Sequence, residues 1–327
     1  MMSQLQTSQT KSPTLSMTLK GLFKILRPYN SLLAGMATVI GIVIAIGFGS
    51  VGDYALETVL AALATAFIAA GGYVINDYFD LPIDLINQPH RPLPSQEVTP
   101  KQAYVFAMTL FGLGLVTSVI LAVVEQSSLV AKLVTPLLAL VGVVFLYTYG
   151  THFKRVGGVG NLIVTLLVMI PFIFGGIIIN QFEQSLYPII VGFSLILGRE
   201  IVKDVEDVEG DRQGSAQEGE SISTLPMLIG VRPTVRLGQG LLLLLVILSP
   251  LAFVSDLPIY HSWGLLIAIT IVDILALVAT FNLRGTEEEL ISRATLSKRL
   301  LKSAMGIGAL GLLLASVTPF SQLEGLL

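Results

Sequence analysis

Nine long apolar runs recur along the chain, at about residues 30–49, 56–77, 102–124, 130–149, 159–180, 186–203, 234–254, 262–283 and 300–319. A helix that crosses the hydrocarbon core of a bilayer needs about 20 such residues, so the pattern predicts a polytopic bundle of about nine transmembrane helices. Glycine is frequent inside the runs, as expected where membrane helices pack closely. Pro136 and Pro171 predict kinks, or places where neighbouring groups satisfy the freed carbonyls. The connections near Asp53, Gln126, Glu183 and Asp256 are short, whereas those at about 78–101 and 204–233 are long. Long connections in a compact domain often serve as functional lids. Residues 1–19 are polar and rich in Ser, Thr and Gln, which predicts a disordered tail without the basic-then-apolar order of a signal peptide. Residues 20–27 form a basic amphipathic segment with Leu22, Phe23 and Leu26 beside Leu19, suited to lying along a membrane surface. The expected organisation is all-α, with one transmembrane domain over 20–327 behind the tail.

Composition agrees: 53% of residues are hydrophobic, 13% are charged, and the mean hydropathy is +0.80, too apolar for a soluble domain. A formal charge of -3 argues against a nucleic-acid partner. The absence of cysteine excludes disulfides, thiol nucleophiles and thiolate metal sites. His90, His152 and His261 stand singly, so a histidine-based metal centre is not expected.

Charge then orients the bundle. Eighteen of the 19 Lys and Arg lie in the N-terminal segment or in the connections after even-numbered runs; Lys132 lies on the other side. The positive-inside rule puts the even connections in the cytoplasm, and the expected location is the cytoplasmic (inner) membrane. Its N-terminus would be cytoplasmic and, after nine spans, its C-terminus extracytoplasmic.

The chemistry concentrates in two acidic stretches. Asp77, Asp80 and Asp84 repeat the spacing of Asp204, Asp207 and Asp211, D-x-x-D-x-x-x-D, and both stretches fall on the cytoplasmic side. On a helix, steps of three and four place the carboxylates on one face, where they repel. A divalent cation removes that conflict, and hard oxygen ligands suit magnesium. Solvated acidic loops at helix ends are the plainer alternative, but the spacing is duplicated and cations stand beside both copies. Arg91 follows the first stretch, Arg199 and Lys203 precede the second, and Lys154 and Arg155 come from a third connection. Orientation alone explains basic residues in such loops. Metals on some oxygens with Lys and Arg on the rest would also hold a diphosphate. As a leaving group that diphosphate leaves an electrophilic carbon, which an allylic isoprenoid delocalises and aromatic faces stabilise. Tyr73, Tyr78, Tyr147 and Tyr149 lie at the same ends, where interfacial tyrosine is the commoner explanation.

Asn76-Asp77-x-x-Asp80-x-x-x-Asp84, followed by Asn87-x-Pro89-x-Arg91-Pro92-x-Pro94-Ser95, resembles the first aspartate-rich signature of the UbiA superfamily of intramembrane prenyltransferases. The run from Gly198-Arg199-Glu200 through Lys203-Asp204 to Glu209-Gly210-Asp211-Arg212 resembles the second. Together with the nine-run plan, the likeness covers about residues 20–320. It implies a helical bundle open laterally to lipid, two Mg²⁺ ions and an isoprenyl diphosphate donor. By motif position, Asn76, Asp77, Asp80, Asp204, Asp207 and Asp211 would bind metal. Arg91, Lys154, Arg155 and Arg199 would grip the donor diphosphate, Asp84 would stand on the acceptor side, and Lys203 and Tyr147 would join it in catalysis. Arg27-Pro28-x-Asn30 and Lys154-Arg155-x-Gly157-x-x-Gly160-Asn161 look most like geranylgeranylglyceryl-phosphate geranylgeranyltransferases, which act on a glycerol phosphate lipid.

Aromatic or chlorin acceptors (hydroxybenzoate, homogentisate, chlorophyllide) are the alternative within the superfamily. The Ser-, Gly- and Glu-rich stretch 213–223 departs from the pattern and bears on the acceptor. A transporter is the alternative of another class, because Asp273 lies midway along the eighth run and intramembrane acids are often functional. A transporter predicts polar residues along a whole transmembrane path, whereas these acids gather at one end. The D-G-x-x-A-R sequence of CDP-alcohol phosphotransferases is absent.

Overall fold

The structure, a computed structural model, describes residues 14–124, 128–151, 153, 156–218, 224–254 and 260–319, and the side chains of 86–87 and 213–218 are not described. Helix α1 spans Leu15–Ile25 and α2 spans Pro28–Ile46. Helices α3 (Ala55–Phe79), α4 (Leu81–Asn87), α5 (Pro100–Val124), α6 (Leu129–Thr151) and α7 (Val159–Ile178) follow. Then come α8 (Leu186–Glu218), α9 (Leu225–Ile229), α10 (Val231–Leu248), α11 (Leu251–Val254), α12 (Trp263–Asn282) and α13 (Glu287–Ala315). Eight stretches among the described residues are helical, long and apolar enough to cross a membrane, and the last of them is Trp263–Asn282. The protein is an integral membrane protein.

The ninth expected run is helical but is not such a stretch. It lies in α13, whose first turns carry Glu287, Glu288 and Glu289 on a capping box with Thr286. Charges through Lys302 leave only the second half of that helix apolar. The second long connection also differs from expectation. Helix α8 continues to Glu218, so the second acidic motif is helical instead of looped. The reason is its periodicity: Val202, Val205 and Val208 are fully buried against α10, α12 and α13, and this packed stripe carries the helix past the apolar run.

Helix α1 starts inside the stretch read as tail. Thr14 caps it through a bond from the Met17 amide. Its apolar side, with Leu15, Leu19 and Phe23, is exposed, while Thr18, Gly21 and Ile25 face the body. A Cβ on Gly21 would stand 2.7 Å from Val98 Cγ2, so the connection after α4 packs directly on α1. Lys24 pairs with Glu97 of that connection at 2.8 Å. Leu93, Val98, Ile25, Val74 and Ile75 share one buried cluster. This folded connection is what carries Arg91 back over α3.

Close backbone approach fixes α2 beside α7. A Cβ on Gly41 would lie 2.5 Å from the Phe172 carbonyl oxygen, and one on Gly175 would lie 2.5 Å from that of Thr38. Only glycine permits this contact, and membrane helices use it where dispersion must replace the hydrophobic effect.

Candidate active site

The first motif straddles a helix break. Asn76 and Asp77 lie in the last turn of α3, Asp80 caps that helix, and Asp84 lies in the first turn of α4. Pro82 sets the start of α4, as suits a first turn with no free N–H to satisfy. All three carboxylates are buried, at 4%, 7% and 5% exposure for Asp77, Asp80 and Asp84. Buried charge needs partners. The Arg27 Nη2 donates to Asp77 Oδ1 at 2.5 Å. Arg91 Nη1 donates to Asp84 Oδ2 at 2.7 Å and stands 3.6 Å from Asp77 Oδ1. Asn76 Nδ2 donates to Asp80 Oδ2 at 2.7 Å. Asp77 and Asp84 are thus held by arginines, and the Asn76 amide is one of the partners of Asp80.

The second motif runs along α8. Asp204, Asp207 and Asp211 share a face with Glu200, turned away from the buried Val202–Val205–Val208 stripe. Asp204 Oδ2 accepts from Asn161 Nδ2 at 2.8 Å. Asn161 stands in the first turn of α7, just after Gly158 takes φ +77. Arg199 donates to Glu200, and Lys203 lies 3.8 Å from the other Glu200 oxygen. Glu206 pairs with Lys298 of α13, tying the motif helix to its neighbour.

Between the motifs is a cavity of about 660 Å³. Arg27, Asn30, Tyr73, Asn76, Tyr149, Glu200 and Lys203 line its polar part; Leu33, Ile68, Leu138, Val168 and Phe174 are among its apolar walls. The Arg27 guanidinium sits over the Tyr73 ring, 5.2 Å from its centre. The Tyr149 hydroxyl is within electrostatic reach of Asp80, Asp204 and Glu200, so both motifs converge on it. Among the described residues, no three acidic or histidine side chains are gathered tightly enough to hold a metal ion alone.

Of the residues expected from sequence, Asn76 and Lys203 line the cavity. Asp80 adjoins it through its partner Asn76, and Asp204 follows the lining residue Lys203 along α8. Arg91 and Arg199 are engaged by protein carboxylates. Tyr147 belongs to an aromatic cluster, its ring edge-on to Phe79 at 5.5 Å, with Tyr78 and Tyr104 beyond; Tyr149 faces the cavity in its place. Asp207 is exposed and Asp211 half-buried. Lys154 and Arg155 lie outside the described residues. Arg27, Asn30, Asn161 and Glu200 received no role from the spacing argument. Their signals were the fragments Arg27-Pro28-x-Asn30, Gly160-Asn161 and Arg199-Glu200, which read as likeness instead of chemistry.

Comparison with known proteins gives the family. The digeranylgeranylglyceryl phosphate synthase of Natronomonas pharaonis is 32% identical over 290 residues, covering 88% of this chain and 95% of that protein. A solved digeranylgeranylglyceryl phosphate synthase superposes with a TM-score of 0.74 at 31% identity, covering 92% of this chain and 99% of that one. A UbiA homolog from Archaeoglobus fulgidus bound to GPP and Mg²⁺ shares the fold, with a TM-score of 0.60 at 16% identity over 88% of this chain and 99% of its own. Residues 34–301 match the UbiA prenyltransferase family, and the chain belongs to that family.

Proposed function

We propose that this prenyltransferase moves an isoprenyl group from a polyprenyl diphosphate to the hydroxyl of a glycerol phosphate lipid such as geranylgeranylglyceryl phosphate, releasing diphosphate. The observation that carries the reading is the two-natured cavity, polar where both acidic motifs converge and apolar beyond. A diphosphate fits the first part and a prenyl chain the second. The name of the N. pharaonis relative and of the solved synthase supports the acceptor class. The apolar remainder of the cavity is what a transporter path would not have.

The donors at the polar end fit a hard cation. Asp80, Asp204 and the Asn76 amide oxygen are oxygen ligands, and neutral amides of Asn76 and Asn161 orient the two carboxylates. Asp207 and Asp211 extend the same face of α8. Two Mg²⁺ ions, when bound, would neutralise diphosphate oxygens and stabilise the charge that develops as it leaves. Asp77, paired with Arg27 and Arg91, holds those cations in position. Lys203, with Lys154 and Arg155 from their own connection, supplies positive charge to the diphosphate. The C1–oxygen bond of the donor breaks with its electron pair going to diphosphate. The acceptor hydroxyl oxygen bonds to C1, and its proton passes to a carboxylate. Asp84, fixed by Arg91, is that carboxylate. Tyr73 and Tyr149 present aromatic rings beside the developing allylic cation. The bundle sits in the cytoplasmic membrane with this end inward, as the charge bias requires.

The test is an acceptor screen with geranylgeranyl diphosphate and Mg²⁺, offering geranylgeranylglyceryl phosphate, hydroxybenzoate, homogentisate and chlorophyllide. An ether product from the glycerol phosphate lipid alone supports the reading. Transfer to an aromatic or chlorin acceptor instead would overturn it.

A further inference from the structure

Arg27 holds a position that backbone preference alone would not give it. It takes φ 48 just before α2, a left-handed conformation that glycine or asparagine adopts with less strain. A strained residue beside a cavity points to a use for its side chain. That side chain is 32% exposed and lines the polar part of the first cavity. One terminal nitrogen, Nη2, donates to Asp77 Oδ1, and the Tyr73 ring supports the guanidinium. A guanidinium has five N–H donors. Among the described residues no second carboxylate pairs with this one. An arginine fixed at one nitrogen and open at the others suits a forked acceptor such as phosphate. Asn30, nearly one turn further along α2, is exposed on the same wall.

We infer that Arg27 and Asn30 bind the phosphate of the lipid acceptor and so select it over the corresponding alcohol; the inference rests on the glycerol phosphate reading above. The ion pairs behind Arg27 show which substrate it serves. Asp77 Oδ1 also lies 3.6 Å from Arg91 Nη1, and the same nitrogen donates to Asp84 at 2.7 Å. Arg27 is thus tied through Asp77 and Arg91 to the carboxylate that takes the acceptor proton. Lys203 and the second motif, which serve the donor diphosphate, stand on α8. A glycerol with a chain at one end and a phosphate at the other carries its free hydroxyl between them. A phosphate at Arg27 therefore keeps that hydroxyl close to the network that ends in Asp84. Beyond Asn30 the α2 wall becomes hydrocarbon. Leu33 and Ala37 line both the first cavity and an adjoining one of about 330 Å³, which Ile40 also lines. From Arg27 to Ile40 this wall runs about 20 Å at 1.5 Å per residue. An amphiphile with its phosphate at Arg27 lays its tail along it.

The test compares geranylgeranylglyceryl phosphate with geranylgeranylglycerol as acceptors, using the full chain in lipid nanodiscs with geranylgeranyl diphosphate and Mg²⁺. Wild type should favour the phosphate by about tenfold or more in kcat/KM, the usual worth of hydrogen bonds to a charged group. Arg27→Gln should narrow that ratio by about tenfold, and Asn30→Leu should narrow it less, both through a higher KM for the phosphorylated acceptor. Arg27→Lys keeps a charge beside Asp77 and loses the fork, so it reads the same ratio where Arg27→Gln fails to fold. A general loss of folded protein or of transfer cancels in the ratio. A wild-type ratio in both the Arg27 and the Asn30 variants would overturn the inference. So would a loss that appears as a higher donor KM with either acceptor, because Arg27 would then serve the diphosphate. Equal use of both acceptors by wild type would overturn it too. No transfer to either glycerol lipid, with transfer to an aromatic or chlorin acceptor, would instead overturn the glycerol phosphate reading, and the inference with it.

Discussion

Asp77, Asp80 and Asp84 share one short stretch of chain, yet each answers to a different neighbour. Asp77 depends on Arg27, which sits fifty positions earlier in a left-handed conformation (φ 48) between α1 and α2. Replacing Arg27 with leucine leaves a carboxylate at 4% exposure with only the longer Arg91 contact. Hydrogen bonds to charged groups are worth about 1.5–3 kcal/mol, and Arg27→Leu should destabilise by that order. Adding Asp77→Asn should recover most of the loss, because the uncompensated charge is gone. Thermal unfolding in detergent checks both, and a double variant no more stable than the single would show that the pair does not carry the effect. Lys154 and Arg155 make a second prediction at this scale. If they hold diphosphate, Lys154→Gln and Arg155→Gln should each lower kcat/KM for the donor by roughly ten- to a hundredfold, about 1.5–3 kcal/mol, and do so with every acceptor. Normal donor kinetics in both would leave them as topological charges.

Elements explain what spacing could and could not reveal. The repeated D-x-x-D-x-x-x-D put the second motif on one helix face, and α8 does present Asp204, Asp207 and Asp211 with Glu200 on one side. The same spacing could not show that the first motif breaks across α3 and α4, because Pro82 and the Asp80 cap act on the backbone while the side-chain spacing stays unchanged. Partners were harder still. That Arg91 returns to Asp84 depends on a connection folded over α1, and that Tyr149 rather than Tyr147 faces the cavity depends on rotation of α6 against Phe79. Apolar runs carry no information on either. The contact between α2 and α7 is testable by itself. Gly175→Val would press a branched side chain onto the Thr38 carbonyl and should destabilise by about 1–3 kcal/mol, the usual cost of overpacking. Because α2 brings Arg27 and Asn30 to the site, prenyl transfer should fall with the melting temperature. An unchanged melting profile would mean that these helices do not pack as closely as the structure has them.

For the whole molecule, prenyl transfer requires one chamber with two chemistries. Helices α3, α4 and α8 bring acid to one end, α2 and α7 bring Arg27, Asn30 and Asn161 beside it, and the remaining walls are hydrocarbon. The charge bias predicts that this end faces the cytoplasm. A reporter inserted near Gly214 should be cytoplasmic; one fused after Leu327 should be extracytoplasmic if α13 crosses as a ninth span, and cytoplasmic if only the eight apolar stretches cross. The central claim is that both acidic motifs serve a single metal-bridged diphosphate, and the direct measurement is turnover of purified protein with geranylgeranyl diphosphate and geranylgeranylglyceryl phosphate. Diphosphate and ether product should appear in equal amounts, stop with EDTA and resume with Mg²⁺. Asp80→Ala and Asp204→Ala should each lower kcat by roughly a hundredfold or more in folded protein, and the double variant should be little worse than either, because groups that act as a unit are not additive. Full turnover in EDTA, or in either single variant, would contradict it.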